Sequence, residues 1–186
     1  MKAKQIVLGV TGSIAAYKAA ELVRLMVKNQ WEVSVVMTRA ATRFVGELTF
    51  QTLSRRPVVT DLFDEVESWR PTHVALADWA QALVMAPCTA NVIAKLAHGI
   101  ADDALSALAL SSPAPLIVAP AMNVKMWEHS ATRENVSILK SRGATIVDVG
   151  EGELACGYEG RGRLAPLDQI MAAVTAALDP DRRISF

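Results

Sequence analysis

Gly12-Ser13-Ile14-Ala15-Ala16 lies where a short apolar run, residues 6–10, gives way to a helix-like stretch. Backbone N–H groups and a hydroxyl at a helix N-terminus make an anion site, and the carboxyl edge of a parallel sheet is where such ligands bind. The plainer reading of Ser13 is an ordinary helix cap. Thr38 repeats the arrangement after a second apolar run, residues 33–37, and two such hydroxyls fit one phosphate-bearing ligand. The pattern is neither G-x-G-x-x-G nor G-x-x-x-x-G-K-[ST], so the dinucleotide and nucleoside-triphosphate fingerprints are absent.

Two further segments each begin with a proline placed directly after an apolar run. Pro87-Cys88-Thr89-Ala90-Asn91 is one, and Pro120-Ala121-Met122-Asn123 is the other. A proline that halts each strand at the same sheet edge turns the following polar groups toward one crevice. Thr89 also reads as a helix cap and Asn91 as a surface residue. Met122, Met126 and Trp127 read by default as core or interface packing. His73 is a lone imidazole: a structural residue by default, a general base if a site forms around it. His98 and His129 have no metal-ligand spacing, and Cys88 and Cys156 lie too far apart for a zinc motif. Cys156, between Ala155 and Gly157, has no bulky neighbour to shield it, which favours a chemical role. Cys88 is expected to face the ligand or the core.

To bring these segments together, several strand ends must share one edge. Apolar runs at 6–10, 33–37, 82–86, 116–119 and 144–149 read as strands, the third and fourth stopped by Pro87 and Pro120. Helices are expected at 14–29, 89–99, 131–142 and 166–178, with a mixed helical stretch at 41–53. Lys18, Glu21, Arg24 and Lys28 mark a wet face on the first helix. This alternation predicts an α/β, doubly wound, Rossmann- or flavodoxin-like parallel sheet with helices on both faces, one domain over 1–186. Residues 150–163 hold five of the ten glycines. They are expected to be neither strand nor helix interior, but either a plain surface loop or a flap over a site.

Composition narrows the class. The 186 residues are 52% hydrophobic and 20% charged, with 19 Lys+Arg balancing 19 Asp+Glu. Zero formal charge leaves no polybasic footprint, so no nucleic-acid partner is expected. No apolar stretch approaches the ~18 residues of a membrane span, and the run at 6–10 is too short for a signal peptide. Two widely spaced cysteines fit a reducing, cytoplasmic setting.

Together these segments resemble the homo-oligomeric flavin-containing cysteine decarboxylase family, on the branch that serves coenzyme A biosynthesis. Gly12 to Lys18 looks like the family's G-[SG]-I-A-A-Y-K opening, and Pro87 to Asn91 like its P-x-[ST]-A-N segment. Pro120-Ala121-Met122-Asn123-Val124-Lys125-Met126-Trp127 fits its P-x-M-N-x-x-M-W motif in full. The resemblance implies FMN held by Gly12, Ser13, Ile14, Thr38, Thr89, Ala90, Asn91 and Ala121. It implies His73 as base and Cys156 as terminal acid, with Asn123, Met126 and Ala155 on the substrate. It further implies a trimer or dodecamer with sites at subunit interfaces. The small-molecule substrate it implies is phosphopantothenoylcysteine, decarboxylated at its cysteine to 4'-phosphopantetheine; the alternative is the C-terminal cysteine of a ribosomal peptide. Two departures fall in the flap of about 150–164: Tyr158 stands where the family commonly has Asp, and Leu164 where it has Met. The resemblance leaves open whether the chain stands alone or is the N-terminal part of a fused synthetase-decarboxylase.

Overall fold

In the computed structural model, which describes residues 3–63, 71–153, 157 and 159–179, the first apolar run is β1 (Gln5–Val10). There follow α1 (Ala16–Lys28), β2 (Glu32–Met37), a 3-10 turn at 41–43, α2 (Glu47–Ser54) and β3 (Val58–Val59). The middle of the chain forms α3 (Thr72–Trp79), β4 (Ala82–Cys88), α4 (Ala90–His98), α5 (Ala104–Ser111) and β5 (Leu116–Pro120). Last come α6 (Val124–Glu128), α7 (Ser130–Ser141), β6 (Thr145–Ile146), β7 (Gly150–Glu153), β8 (Glu159–Arg163) and α8 (Leu167–Ala177).

Six strands make one parallel sheet in the order β3-β2-β1-β4-β5-β6. The chain winds outward from β1 in one direction, then returns to β4 and winds in the other, so β1 and β4 flank the switch point. Alternation along β1 assigns the two faces. Ile6, Leu8 and Val10 pack with Leu22 and Met26 of α1, Phe50 of α2 and Ile170 of α8. Val7 faces the other way, into a core shared with Ala77 of α3, Ile93 of α4, Leu105 of α5 and Leu139 of α7. A side chain at Gly9 would meet Met85 Sδ at 2.5 Å and Leu105 Cδ1 at 2.6 Å, so glycine here lets α5 close onto the sheet. Among the described residues no helix is long and apolar enough to cross a membrane.

The doubly wound expectation holds, and several of its details change. The third run does not stop at Pro87: β4 continues to Cys88, with a register shift against β5 between Met85 and Cys88. Proline supplies no N–H, but its carbonyl still accepts, here from Thr11. Likewise β5 includes Pro120. Only Thr145 and Ile146 of the expected strand at 144–149 pair with β5. Helices α3 and α5 were unforeseen. Helix α5 is buried on much of its surface, which erases the 3.6-residue signature, and α3, with only Ala77 buried, has no well-defined apolar stripe to announce it.

The largest correction concerns residues 150–163. Four of the five glycines do lie in strands: β7 and β8 pair as an antiparallel hairpin with Gly152 opposite Gly160. Gly152, Gly160 and Gly162 adopt φ of 130°, 148° and 153°, values open to glycine and strained for other residues. A side chain at Gly162 would collide with the Met122 carbonyl oxygen, and one at Gly160 would press on Val124. The glycines therefore allow a backbone ladder to lie directly against the segment leading into α6. Ala155, Cys156 and Tyr158, between β7 and β8 in sequence, lie outside the described residues.

Candidate functional site

A cleft of about 440 Å³ opens at the carboxyl edge beside the switch point, within the size range of small-molecule sites. Three strand ends and the hairpin build it. After β1 come Gly12, Ser13, Ile14, Ala15, Tyr17 and Lys18; after β4 come Thr89 and Ala90; after β5 come Ala121, Met122, Asn123 and Met126. Glu153, Gly162, Arg163 and Leu164 close the remaining side from the hairpin.

The first turn is held open by its neighbours. The Ser13 N–H donates to the Thr11 carbonyl at 2.8 Å, and Ser13 Oγ accepts from the Ala15 N–H at 3.3 Å. The N–H groups of Gly12 and Ile14 make no hydrogen bond among the described residues, and neither does that of Ala90 in the first turn of α4. These donors face a common cleft, which fits an anionic group. Gly12 has no room for a side chain, since a Cβ would lie 2.5 Å from that of Ala40.

The second and third turns are capped. Thr89 Oγ1 accepts from the Val92 N–H and so begins α4, as its plainer reading had it. Asn123 Oδ1 accepts from the Lys125 N–H at 2.9 Å and begins α6, one turn of which carries Met126 to the cleft wall. The Met122 N–H donates to the Gly162 carbonyl at 2.9 Å, tying hairpin to wall. Ile14, Tyr17 and Met126 are 58%, 59% and 48% exposed, an apolar lining around the polar turns.

Of the expected site residues, Gly12, Ser13, Ile14, Thr89, Ala90, Ala121, Asn123 and Met126 converge on this cleft. Thr38 does not line it: the residue is buried, and its Oγ1 accepts from the Ala41 N–H, fixing the turn that packs on Gly12. Asn91 lies exposed on α4, its plainer reading. His73 sits in the first turn of α3, away from the cleft lining, and its Nδ1 is buried without a hydrogen-bond partner among the described residues. Cys88 is in the core, where burial pushes its thiol far above the usual range and leaves it inert. Cys156 and Ala155 lie outside the described residues. Among those described, no group of three or more His, Cys, Asp or Glu could hold a metal.

Five contributors were missed in the sequence. Thr11 is fully buried between β1 and β4 and hydrogen-bonds across the switch point; its position directly before Gly12 was the available signal. Tyr17 and Arg163 stood only within the family-like stretches Gly12 to Lys18 and Gly160 to Leu164, with no role attached, and Glu153 carried no signal. Lys18 was assigned to a wet helix face, yet it is half-buried at the cleft. Farther away, Lys95 of α4 bridges Asp102 at 2.6 Å and Asp103 at 2.8 Å, and Asp103 caps α5 with Ser106 in a reciprocal box. This cluster positions α5 and is distant from the cleft lining.

The flavoprotein family matches residues 1–179. The Coenzyme A biosynthesis bifunctional protein CoaBC of Bacillus subtilis is 47% identical over 168 residues, covering 90% of this chain and 41% of that protein. The chain thus spans about two fifths of that relative's length. A Streptococcus mutans protein named "Probable phosphopantothenoylcysteine decarboxylase" is 42% identical over 177 residues, 94% of this chain and 99% of its own. A solved mutant PPC decarboxylase, complexed with pantothenoylaminoethenethiol, aligns with a TM-score of 0.84 at 30% identity, covering 94% of this chain and 98% of that one.

Proposed function

Since this chain belongs to the flavoprotein family, we propose that it is a carboxy-lyase that removes CO2 from the cysteine moiety of phosphopantothenoylcysteine, giving 4'-phosphopantetheine. The observation that carries this reading is the joining, in one cleft, of the Gly12–Ile14 turn, the Thr89–Ala90 turn and the Asn123–Met126 wall. A relative matched over 99% of its own length is named a probable phosphopantothenoylcysteine decarboxylase.

The cofactor proposed is FMN. Unpartnered N–H groups at Gly12 and Ile14 suit one terminal phosphate, and no dinucleotide fingerprint accompanies them. Thr89, Ala90 and Ala121 would border the ring, with the apolar Ile14 and Met126 walls keeping water from it. Thr38 would act through the turn it fixes against Gly12. When bound, the flavin would supply reversible two-electron oxidation of the cysteine moiety, which lets the electron pair left behind by departing CO2 delocalise toward sulfur.

The chain's own groups divide the remaining work. Asn123, fixed by capping α6, would hold the substrate carboxylate by neutral hydrogen bonds, with Met126 and Ala155 shaping its pocket. His73 would take a proton in the first half and Cys156 return one in the second. In a single chain His73 lies outside the cleft lining. This supports a homo-oligomer, a trimer or a multiple of it, in which a second copy brings the imidazole to the cleft. The reading belongs to a cytoplasmic enzyme.

One experiment tests the whole. The purified protein, loaded with flavin, is incubated with phosphopantothenoylcysteine, and CO2 and 4'-phosphopantetheine are followed by mass spectrometry. Acid release of the chromophore should give FMN. A protein that leaves this substrate untouched while decarboxylating a peptide ending in cysteine would move the assignment to peptide modification.

A further inference from the structure

We infer that Arg163 is a specificity-determining residue, which reads the phosphate of the substrate; this rests on the decarboxylase reading above. Arg163 ends β8 and lines the cleft, yet its guanidinium makes no ion pair or hydrogen bond among the described residues. Arg161, two residues earlier on the same strand, is by contrast locked in a bidentate pair with Asp148, both distances 2.7 Å. The hairpin thus fastens one arginine and leaves the other for a ligand.

The space for it is built into the backbone. The Arg163 side chain runs across Gly152 of the paired strand, and a Cβ at Gly152 would stand 2.9 Å from Arg163 Nη1. Glycine at 152, with φ of 130°, is what lets the guanidinium lie there. Lys18 of α1 lines the same cleft, also without an ion pair among the described residues. Among the described residues Glu153 is the one carboxylate in the lining, so the two cations outnumber it there.

Three anions could meet Arg163: the cofactor phosphate, the substrate carboxylate and the substrate phosphate. The Gly12–Ile14 turn already offers backbone donors for the first. The second is a poor choice for an arginine. Loss of CO2 removes the negative charge, so a strong ion pair to the carboxylate would stabilise the ground state more than the transition state. The neutral Asn123, beside the Met122–Gly162 hydrogen bond, suits that departing group better. The phosphate keeps its charge from substrate to product, and a planar guanidinium matches its oxygens by paired hydrogen bonds.

The test compares flavin-loaded wild type, Arg163→Ala and Arg163→Lys on phosphopantothenoylcysteine and on unphosphorylated pantothenoylcysteine. Binding of phosphopantothenate and pantothenate, which lack the cysteine, is measured by calorimetry on the same samples. Wild type should favour the phosphorylated member of each pair by about 10- to 100-fold, the range of charge-assisted hydrogen bonds. Arg163→Ala should erase that preference with flavin content unchanged, and Arg163→Lys should keep part of it. A preference that survives in Arg163→Ala, or an equal loss for both members of each pair, overturns the inference and leaves the decarboxylase reading standing. Failure of the wild type on both cysteine substrates, with turnover of a peptide ending in cysteine, overturns both.

Discussion

The Thr89 N–H donates to Thr11 Oγ1 at 2.9 Å, and the same hydroxyl donates to the Pro87 carbonyl at 2.8 Å. One buried side chain therefore joins the ends of β1 and β4 at the point where the winding direction reverses. Two of the three turns that face the cleft, at Gly12 and at Ala90, hang from this pair of bonds. Thr11→Val keeps the shape and removes both, leaving the Thr89 N–H without its acceptor. Stability should fall by about 1–3 kcal/mol, the usual cost of stranding a buried polar group. Urea unfolding of the protein with and without flavin measures it, and flavin affinity should fall as well.

Gly162→Ala should uncouple the hairpin from the wall of the cleft. The new methyl would collide with the Met122 carbonyl, and alanine is strained at φ of 153°. Strain of this kind costs about 1–3 kcal/mol, so turnover should drop by at least about tenfold while the sheet core stays folded. Gly46→Ala is the control: its Cβ meets nothing within 4 Å at an ordinary φ of −71°, and stability should shift by about 1 kcal/mol or less. Melting curves and turnover of the two variants separate the effects.

The Asp103 cluster predicts the acid limb of the stability curve. Partial burial works to raise the Asp103 carboxyl, but hydrogen bonds from Lys95 and Ser106 outweigh it and hold the group below its ordinary range. A depressed carboxyl stabilises the fold above its unfolded value of about 3.9, and the contribution is lost as pH falls through the folded value. Lys95 is the mirror case: burial lowers it, Asp102 and Asp103 outweigh that, and it ends raised. Its contribution is complete below about 10.4 and fades as pH rises through the folded value. Asp103→Asn should cost about 1 kcal/mol near neutrality and flatten the loss of stability below about pH 4. Chemical denaturation across pH reads both.

Cys156→Ser and His73→Asn should fail at different stages. With flavin bound under anaerobic conditions, Cys156→Ser should release CO2 and then stall, bleaching the yellow colour, because a hydroxyl is a far weaker acid than a thiol. A product two hydrogens lighter than 4'-phosphopantetheine should accumulate. His73→Asn lacks the base for the first proton, so it should stay yellow and release no CO2. Normal product from Cys156→Ser would take that residue out of the chemistry.

The strands were legible because their signal is local. Leu116 to Ala119 is an unbroken apolar run and Val33 to Met37 is broken only by Ser34, and a run of that length between turn residues has few homes other than a strand covered on both faces. The P-A-M-N and P-C-T-A-N segments were legible in part for a related reason: each follows a buried run at a sheet edge, and Thr89, Ala90, Ala121 and Asn123 line the cleft there, although β4 and β5 run through their prolines and Asn91 turns to solvent. Helix α5 was not legible, since a helix buried on much of its surface shows no amphipathic period.

The hairpin marks the boundary between what residues determine alone and what packing decides. By composition Gly150 to Arg163 opposes every regular structure, because glycine loses the most entropy when a strand forms. What offsets that loss lies elsewhere in the chain: the Met122 carbonyl and Val124, against which only bare backbone fits, and Asp148, which fastens Arg161. Those partners are 13 to 40 positions away, so no local pattern announces them. The same holds for Arg163, which the sequence shows only inside a family-like stretch, Gly160 to Leu164, with no role attached, and which becomes a cleft residue where Gly152 leaves room for it. The sequence by itself determined the layered sheet and the turns at its edge. Tertiary structure decided which of their side chains meet, because that depends on close approach between segments whose contact no single stretch of residues encodes.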